Sequence, residues 1–219
     1  MAPRFPPLMQ LILLAALAGF QPGIASAANA SYSIDPVHTR VAFLISHAGF
    51  SRAIGTFSGS HGRLEFDADD WTHAKLDVII PIGTLNLGDD KWRDKILDAT
   101  FFNAEKFPEA HFVATKIEKT GDASAKITGD LTLHGVTRPV TLDATLNALR
   151  RHPLTFQKTA GFSATATLSR KDFGMDAWES VVADQVQLII EVEASRSHND
   201  ATDTDKDKKD AEHVDPQSH

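Results

Sequence analysis

The 219-residue sequence contains no cysteine. Disulfides, thiolate zinc sites, thiol redox chemistry and a lipid-modified N-terminal cysteine are all excluded, so stability must come from an apolar core. Basic residues are also in deficit. Lys and Arg number 22 against 29 Asp and Glu, a net charge of −7. That balance argues against nucleic acid, whose affinity rests on neutralising phosphates, and against a polybasic membrane-binding patch. The chain has no G-x-S-x-G nucleophile elbow, no P-loop and no G-x-G-x-x-G turn. Its ten histidines show no H-x-H, H-x3-H or H-E-x-x-H spacing, so a metal site would have to assemble from distant strands. No cofactor is expected, and no catalytic residue is assigned.

No apolar run is long enough to cross a bilayer, which takes roughly 20 residues. The N-terminus instead reads as an export signal over residues 1–27. Arg4 forms the positive region, Leu11–Ala18 the apolar segment, and Ala25-Ser26-Ala27 an A-x-A cleavage site. An uncleaved anchor is the alternative. Ala28-Asn29-Ala30 repeats the cleavage pattern three residues on. Removing Arg4 takes the charge to about −8. Export from the cytoplasm is expected. Residues 197–219 are almost wholly polar, with Val214 the one large apolar side chain. Such a segment buries too little surface to offset its ordering entropy, so a disordered tail is expected. The folded domain is expected over 31–196.

That domain alternates at period two. Val41, Phe43, Ile45 and His47 share one face, as do Leu76, Val78, Ile80 and Ile82. Phe162, Ala164, Ala166 and Leu168 form another such set, and Val186, Leu188, Ile190 and Val192 a fourth. Strands with one buried and one wet face read this way. The stretch Ile127–Asn147 reads as a hairpin about His134-Gly135-Val136-Thr137. Phe57 falls out of phase with Leu64 and Phe66, which calls for a bulge or turn across Ser58–Gly62. About eight mostly antiparallel strands are expected. Eight is a number at which a closed barrel can hold one small ligand.

One segment departs from the pattern. Asp89 or Asp90 is a candidate N-cap, and Trp92, Ile96 and Ala99 fall on one helical face. A short helix over about 90–98 is expected to cap one barrel end, with Arg93 and Asp94 as candidate ion-pair partners for the rim. His47 continues an inward face to a strand end. It reads either as a polar group for a ligand head or as a strand-end histidine bonded to backbone or water. Phe173, Met175 and Trp178 either shape a mouth or plug a corner. Thirteen phenylalanines against one tyrosine make walls rather than hydrogen-bonded anchors. They either fill a narrow barrel or line a tube.

Four stretches in order resemble the YceI-like family of exported barrel proteins. They are "YSIDPVHTRVAFLISHAGFSRAIGTF", "FFNAEKFPEAHF", "GDLTLHGVTRPVTL" and "GFSATATLSRKDFGM". The resemblance runs from about Tyr32 to Arg196. It implies an all-β, extended eight-stranded antiparallel lipocalin-like barrel with a long apolar cavity. It also implies a periplasmic location and a ligand among long-chain isoprenoids, isoprenoid quinones and similar amphiphilic lipids. The expected wall residues are Val41, Phe43, Ile45, Phe57 and Ile80, then Phe101, Phe102, Phe112, Phe162, Leu188 and Ile190. His47, Trp92, Ile96 and Trp178 are expected at the mouth. Many family helices resemble Arg-Asp-x-His-Leu, where this chain has Arg93-Asp94-Lys95-Ile96-Leu97; if that histidine meets a ligand head group, this chain lacks the contact. No nucleic-acid partner and at most transient membrane contact are expected, and a homodimer stays open. Two other readings remain: a filled barrel acting through an envelope protein partner, and an enzyme on a lipid with His47 or Asp172 as acid–base group.

Overall fold

The structure, a computed structural model, describes residues 29–197. The expected signal (1–27) and nearly all of the expected polar tail (197–219) lie outside the described residues.

Ten antiparallel strands form one sheet: β1 (Ala30–Ile34), β2 (Arg40–His47), β3 (Ser51–Phe57), β4 (His61–Phe66), β5 (Lys75–Pro81), β6 (Glu109–Lys119), β7 (Ser124–Leu133), β8 (Val136–Arg151), β9 (Lys158–Ser169) and β10 (Val182–Arg196). The order is β1-β4-β5-β6-β7-β8-β9-β10-β2-β3, and a β1–β10 pairing closes it. Ten strands make eight staves. β1 and β2 run in the same direction along one edge of β10, β1 opposite residues 194–196 and β2 opposite 182–191. On their other edges β1 pairs with β4 and β2 with β3, so β3 and β4 form the next broken stave. The result is the expected eight-stranded antiparallel barrel with one short helix.

The two breaks lie side by side and are stitched by side chains. Between β1 and β2 the ladder loses its partner for Glu193. Thr39 replaces it: its buried hydroxyl lies 3.4 Å from the Glu193 carbonyl, to which it donates, and 3.3 Å from the Glu193 N–H, from which it accepts. The Asp35 N–H donates to the same carbonyl at 2.8 Å. Between β3 and β4, Thr84 Oγ1 accepts from the Ser58 N–H at 3.1 Å and lies 2.9 Å from the Ser58 carbonyl. The Gly59 N–H donates to the Pro36 carbonyl, joining the two breaks. Three unpaired residues restore the phase between Phe57 and Leu64, as the sequence required.

The β7–β8 turn is tighter than expected. His134 and Gly135 alone form it, both at positive φ (53° and 76°), with Leu133 opposite Val136. That two-residue geometry matches the twist of the flanking strands. Gly55 serves a different purpose. The ring of Phe43, its partner across β2–β3, lies over it, and a Cβ there would meet that ring at 2.3 Å.

After Pro81 the chain leaves the sheet for residues 82–108 and covers the free edge of β3 by a two-way bridge between Thr56 and Asn86. This excursion carries α1 (Asp90–Leu97), capped by Asp89, whose carboxylate accepts from the Trp92 N–H at 2.8 Å. Ala99 lies past the helix end, whose C-cap is Asp98. Arg93 does not pair with the rim as expected. It bonds Asp90 and Asp94 of its own helix at 2.7 Å each, because i,i+3 and neighbouring carboxylates are closer than the barrel.

The opposite end is closed. Phe66, Trp71 and Phe162 pack edge to face with centroids 5.1–6.4 Å apart, beside buried Tyr32. The Trp71 indole N–H donates to the Ala68 carbonyl at 2.9 Å. Asp70 caps this turn; hydrogen bonds from the Thr72 hydroxyl, His73 and the Thr72 N–H lower its pKa to about 2.

Two predictions follow from these contacts. Gly55→Ala forces the Phe43 ring aside and costs about 1–3 kcal/mol by urea denaturation, the usual toll of overpacking. A wild-type midpoint in that variant would contradict the packing. The second concerns pH. Hydrogen bonds lower the pKa of Asp98 (from Lys95 first), and outweigh the opposing effect of burial at Asp35 and Asp184, whose pKa values are also lowered. These groups and Asp70 contribute fully above the ordinary value of about 3.9, and lose that contribution as pH falls through their depressed values. The Asp35 hydrogen bond raises His38, which contributes fully below about 6.5 and loses its share as pH rises through its raised value. The urea midpoint should fall from pH 4 to pH 2, and Asp70→Asn should flatten the acid limb. An unchanged midpoint down to pH 2 would contradict this.

Candidate lipid-binding cavity

The inner faces of the staves do not meet at the centre. They enclose a cavity of about 340 Å³ that runs from Phe162, Leu64 and Val192 at the closed end to His47, Trp92 and Trp178 at the open one. Its wall is almost entirely apolar. The reason lies in alternating side-chain size. Phe43, Phe57 and Phe112 project from β2, β3 and β6, whereas Ala110, Ala144 and Ala164 occupy inner positions on β6, β8 and β9. Where the wall is alanine rather than phenylalanine, the missing side-chain volume is left as space. Phe57 is steadied edge to face by Phe102 (5.6 Å) and tilted against Phe43 (5.7 Å).

All eleven residues expected on the wall line this cavity: Val41, Phe43, Ile45, Phe57, Ile80, Phe101, Phe102, Phe112, Phe162, Leu188 and Ile190. Phe162 also belongs to the aromatic floor. His47, Trp92, Ile96 and Trp178 line it at the mouth. Whether a ligand touches them belongs to the proposal below. Phe173 is a corner plug: it is buried, lies off the cavity wall, and its carbonyl is 3.1 Å from His134 Nδ1. Met175 and Trp178 take the other role and line the cavity. Asp172 is exposed and off the wall.

The mouth lies between α1 and the loop before β10. Trp92 packs edge to face on His47 at 6.3 Å, and Phe101 on Trp178 at 5.9 Å. Both tryptophans stay partly exposed, at 38% and 55%. Trp178 adopts a left-handed φ of 56°, uncommon outside glycine, and its carbonyl accepts from the N–H groups of Val181 and Val182. Deeper in, the Ser60 hydroxyl at the β3–β4 break is fully buried, with no hydrogen-bond partner among the described residues. Outside the cavity, ligand atoms of Asp35, His38 and Glu193 lie within 4.8 Å of one another. The Asp35 carboxylate is already engaged by the N–H groups of Val37 and His38 and by the His38 ring.

Two cationic residues on the wall escaped the sequence reading. Arg170 continues the even-numbered inner face of Phe162, Ala164, Ala166 and Leu168, so parity was the available signal. Lys95 sits three residues after Trp92 on the same helical face. Both line the mouth.

Filling the space should stabilise the protein. Ala164→Leu is expected to raise the unfolding free energy by about 0.5–2 kcal/mol in urea, at unchanged m. A loss of stability would show that the wall around Ala164 is already tightly packed.

The YceI-like domain family matches residues 32–194. A UPF0312 protein of Pseudomonas putida F1 is 39% identical over 167 residues, covering 75% of this chain and 85% of that protein. A UPF0312 protein of Photorhabdus laumondii is 37% identical over 173 residues, covering 78% and 88%. Among solved structures, the Campylobacter jejuni YCEI protein superposes with TM-score 0.63 at 29% identity, covering 68% of this chain and 87% of that one. A polyisoprenoid binding domain from Saccharophagus degradans shares the fold, with TM-score 0.61 at 13% identity, covering 77% and 99%. The chain belongs to the YceI-like domain family.

Proposed function

We propose that this protein is a periplasmic carrier that holds one long-chain amphiphilic lipid of the polyisoprenoid class, with its tail in the barrel and its head at the mouth. Isoprenoid quinones fall within this class. The observation that carries the reading is the cavity itself: a tube walled by phenylalanine, valine, leucine and isoleucine, shut at one end by an aromatic cluster and open at the other. Each buried methylene contributes about 0.8 kcal/mol, so such a wall rewards a long apolar chain without charge or extensive hydrogen bonding. The shared fold of the Saccharophagus degradans polyisoprenoid binding domain supports the same class of ligand. The expected signal at residues 1–27 supports export, and among the described residues no helix is long and apolar enough to cross a membrane.

The cavity weighs against a filled barrel that acts only through a protein partner. An enzyme would need an acid–base group within hydrogen-bond reach of its substrate. Of the two candidates, Asp172 is off the wall and His47 stands at the rim. The carrier reading therefore assigns no catalytic residue and no cofactor.

The test is native mass spectrometry of the protein purified from its own cell envelope, with organic extraction of whatever is released. The expected result is one lipid per chain and a mature N-terminus at Ala28 or three residues later. A bare mass that stays unchanged after incubation with C20 to C40 isoprenoids would overturn the carrier reading.

A further inference from the structure

Two of the most exposed large apolar side chains share one turn at the end of the barrel away from the mouth. Leu154 is 82% exposed and Phe156 69%, both in the turn 152–157 between β8 and β9. The turn is firmly built. The His152 N–H donates to the Gln157 carbonyl and the Phe156 N–H to the His152 carbonyl, each at 2.8 Å. His152 Nδ1 accepts from the Leu154 and Thr155 N–H groups at 3.3 Å, and Arg151 Nη1 donates to the Phe156 carbonyl at 3.1 Å. Phe156 adopts a left-handed φ of 59°, uncommon for a bulky residue. A fixed backbone thus holds two apolar side chains out in solvent.

The charge around this turn is of one sign. No aspartate or glutamate occurs over residues 144–171, in a chain with 29 of them among 219 residues. Arg150 and Arg151 end β8, and Lys158 begins β9 opposite Arg151, so three exposed cations flank the apolar pair. On the neighbouring β10 the nearest acid is Glu193, opposite Gly161. The net charge of −7 therefore hides a local basic patch, which the whole-chain balance argued against. The hairpin also stands proud of its neighbour. The β7–β8 ladder ends at Thr145 opposite Ser124, whereas β8 and β9 stay paired out to Arg151 and Lys158.

We propose that the β8–β9 tip docks on an anionic bilayer surface, with Leu154 and Phe156 entering the head-group layer and Arg150, Arg151 and Lys158 lying over its phosphates. Shape decides for a bilayer over a protein partner. A convex tip of this size offers far less than the roughly 800 Å² per side of a stable protein interface. An apolar wedge flanked by cations suits a head-group layer instead. Each basic residue near an anionic surface raises partitioning roughly 5-fold, so three of them and two apolar side chains give a reversible contact. Docked by this tip, the barrel holds its mouth away from the bilayer. The proposal is independent of what the cavity holds.

The test is co-sedimentation of the full mature protein with vesicles of phosphatidylcholine alone and with about 30% phosphatidylglycerol, a stand-in for an anionic leaflet. Binding to the anionic vesicles is expected, at least ~10-fold above the neutral ones, and should be lost in 1 M salt, where the screening length is about 3 Å. Arg150→Gln with Lys158→Gln should lower anionic partitioning by ~10-fold or more. Phe156→Asn should lower it at least ~5-fold, with a melting temperature no lower than wild type, because asparagine accepts the left-handed backbone readily. Phe50→Ser, in the β2–β3 turn at the mouth end, should leave partitioning unchanged. Equal binding to both vesicles, or to neither, overturns the proposal. So does binding that survives the tip variants and fails in Phe50→Ser, which would put the contact at the mouth. A dimer in analytical ultracentrifugation that Phe156→Asn dissolves, without vesicle binding, overturns it in favour of a second copy of the chain.

Discussion

The barrel depends on β10 being hydrogen-bonded along both edges over nearly its whole length. One edge meets β9 from Gln185 to Ser195, and the other meets β2 and then β1. Closing an antiparallel sheet removes its exposed edges, but only if the last strand finds partners all the way along. Here the partner stave is broken, and the gap falls at Glu193. Thr39 and the Asp35 N–H fill it by bonding the Glu193 backbone. A threonine hydroxyl that both donates and accepts takes the place of a residue of ladder. Without that hydroxyl the Glu193 N–H would lose its partner, and its carbonyl would keep the Asp35 N–H alone.

Closure fixes the perimeter, and side-chain size then decides whether the interior is solid. Eight staves give an interior that side chains can fill, or one that holds a single small ligand. This chain alternates large and small. Phenylalanines line the cavity from β2, β3 and β6 and alanines from β8 and β9, and Gly55 leaves room for the Phe43 ring over the neighbouring strand. The aromatic floor consumes three more rings at one end, while at the other the excursion 82–108 leaves a gap flanked by Trp92 and Trp178. The tube is thus a consequence of where the small residues sit, not of any dedicated loop.

Much of this was legible beforehand, and the reasons differ by level. Period-two alternation marks which residues face inward, and every residue expected on the wall or at the mouth lines the cavity. The phase slip between Phe57 and Leu64 betrayed one of the two stave breaks. The other went unread because Val41 to His47 reads as a clean strand on its own, although the inner face passes from even-numbered Tyr32 and Ile34 to odd-numbered Val41 and Phe43 across it. Alternation says which way a side chain points but not how much space its neighbours leave, so a filled barrel and a hollow one read alike until Ala144 and Ala164 are placed on the same wall as the rings. Arg93 misled, because its carboxylate partners on the same helix outcompete a rim across the mouth. Arg170 was passed over for a simpler reason. A charge at a strand end reads as solvent-facing, yet its even number continues an inner face, and three carbonyls of the β9–β10 corner hold it there.

The central claim is that an apolar chain occupies this tube lengthwise. A crystal structure of the mature protein loaded with a C20 isoprenoid tests it most directly. The account predicts continuous ligand density from beside Phe162 to the gap between Trp92 and Trp178, with the polar end at the tryptophans. Rings of Phe43, Phe57 or Phe102 swung inward to fill the tube, with the lipid bound on the outer surface, would contradict it.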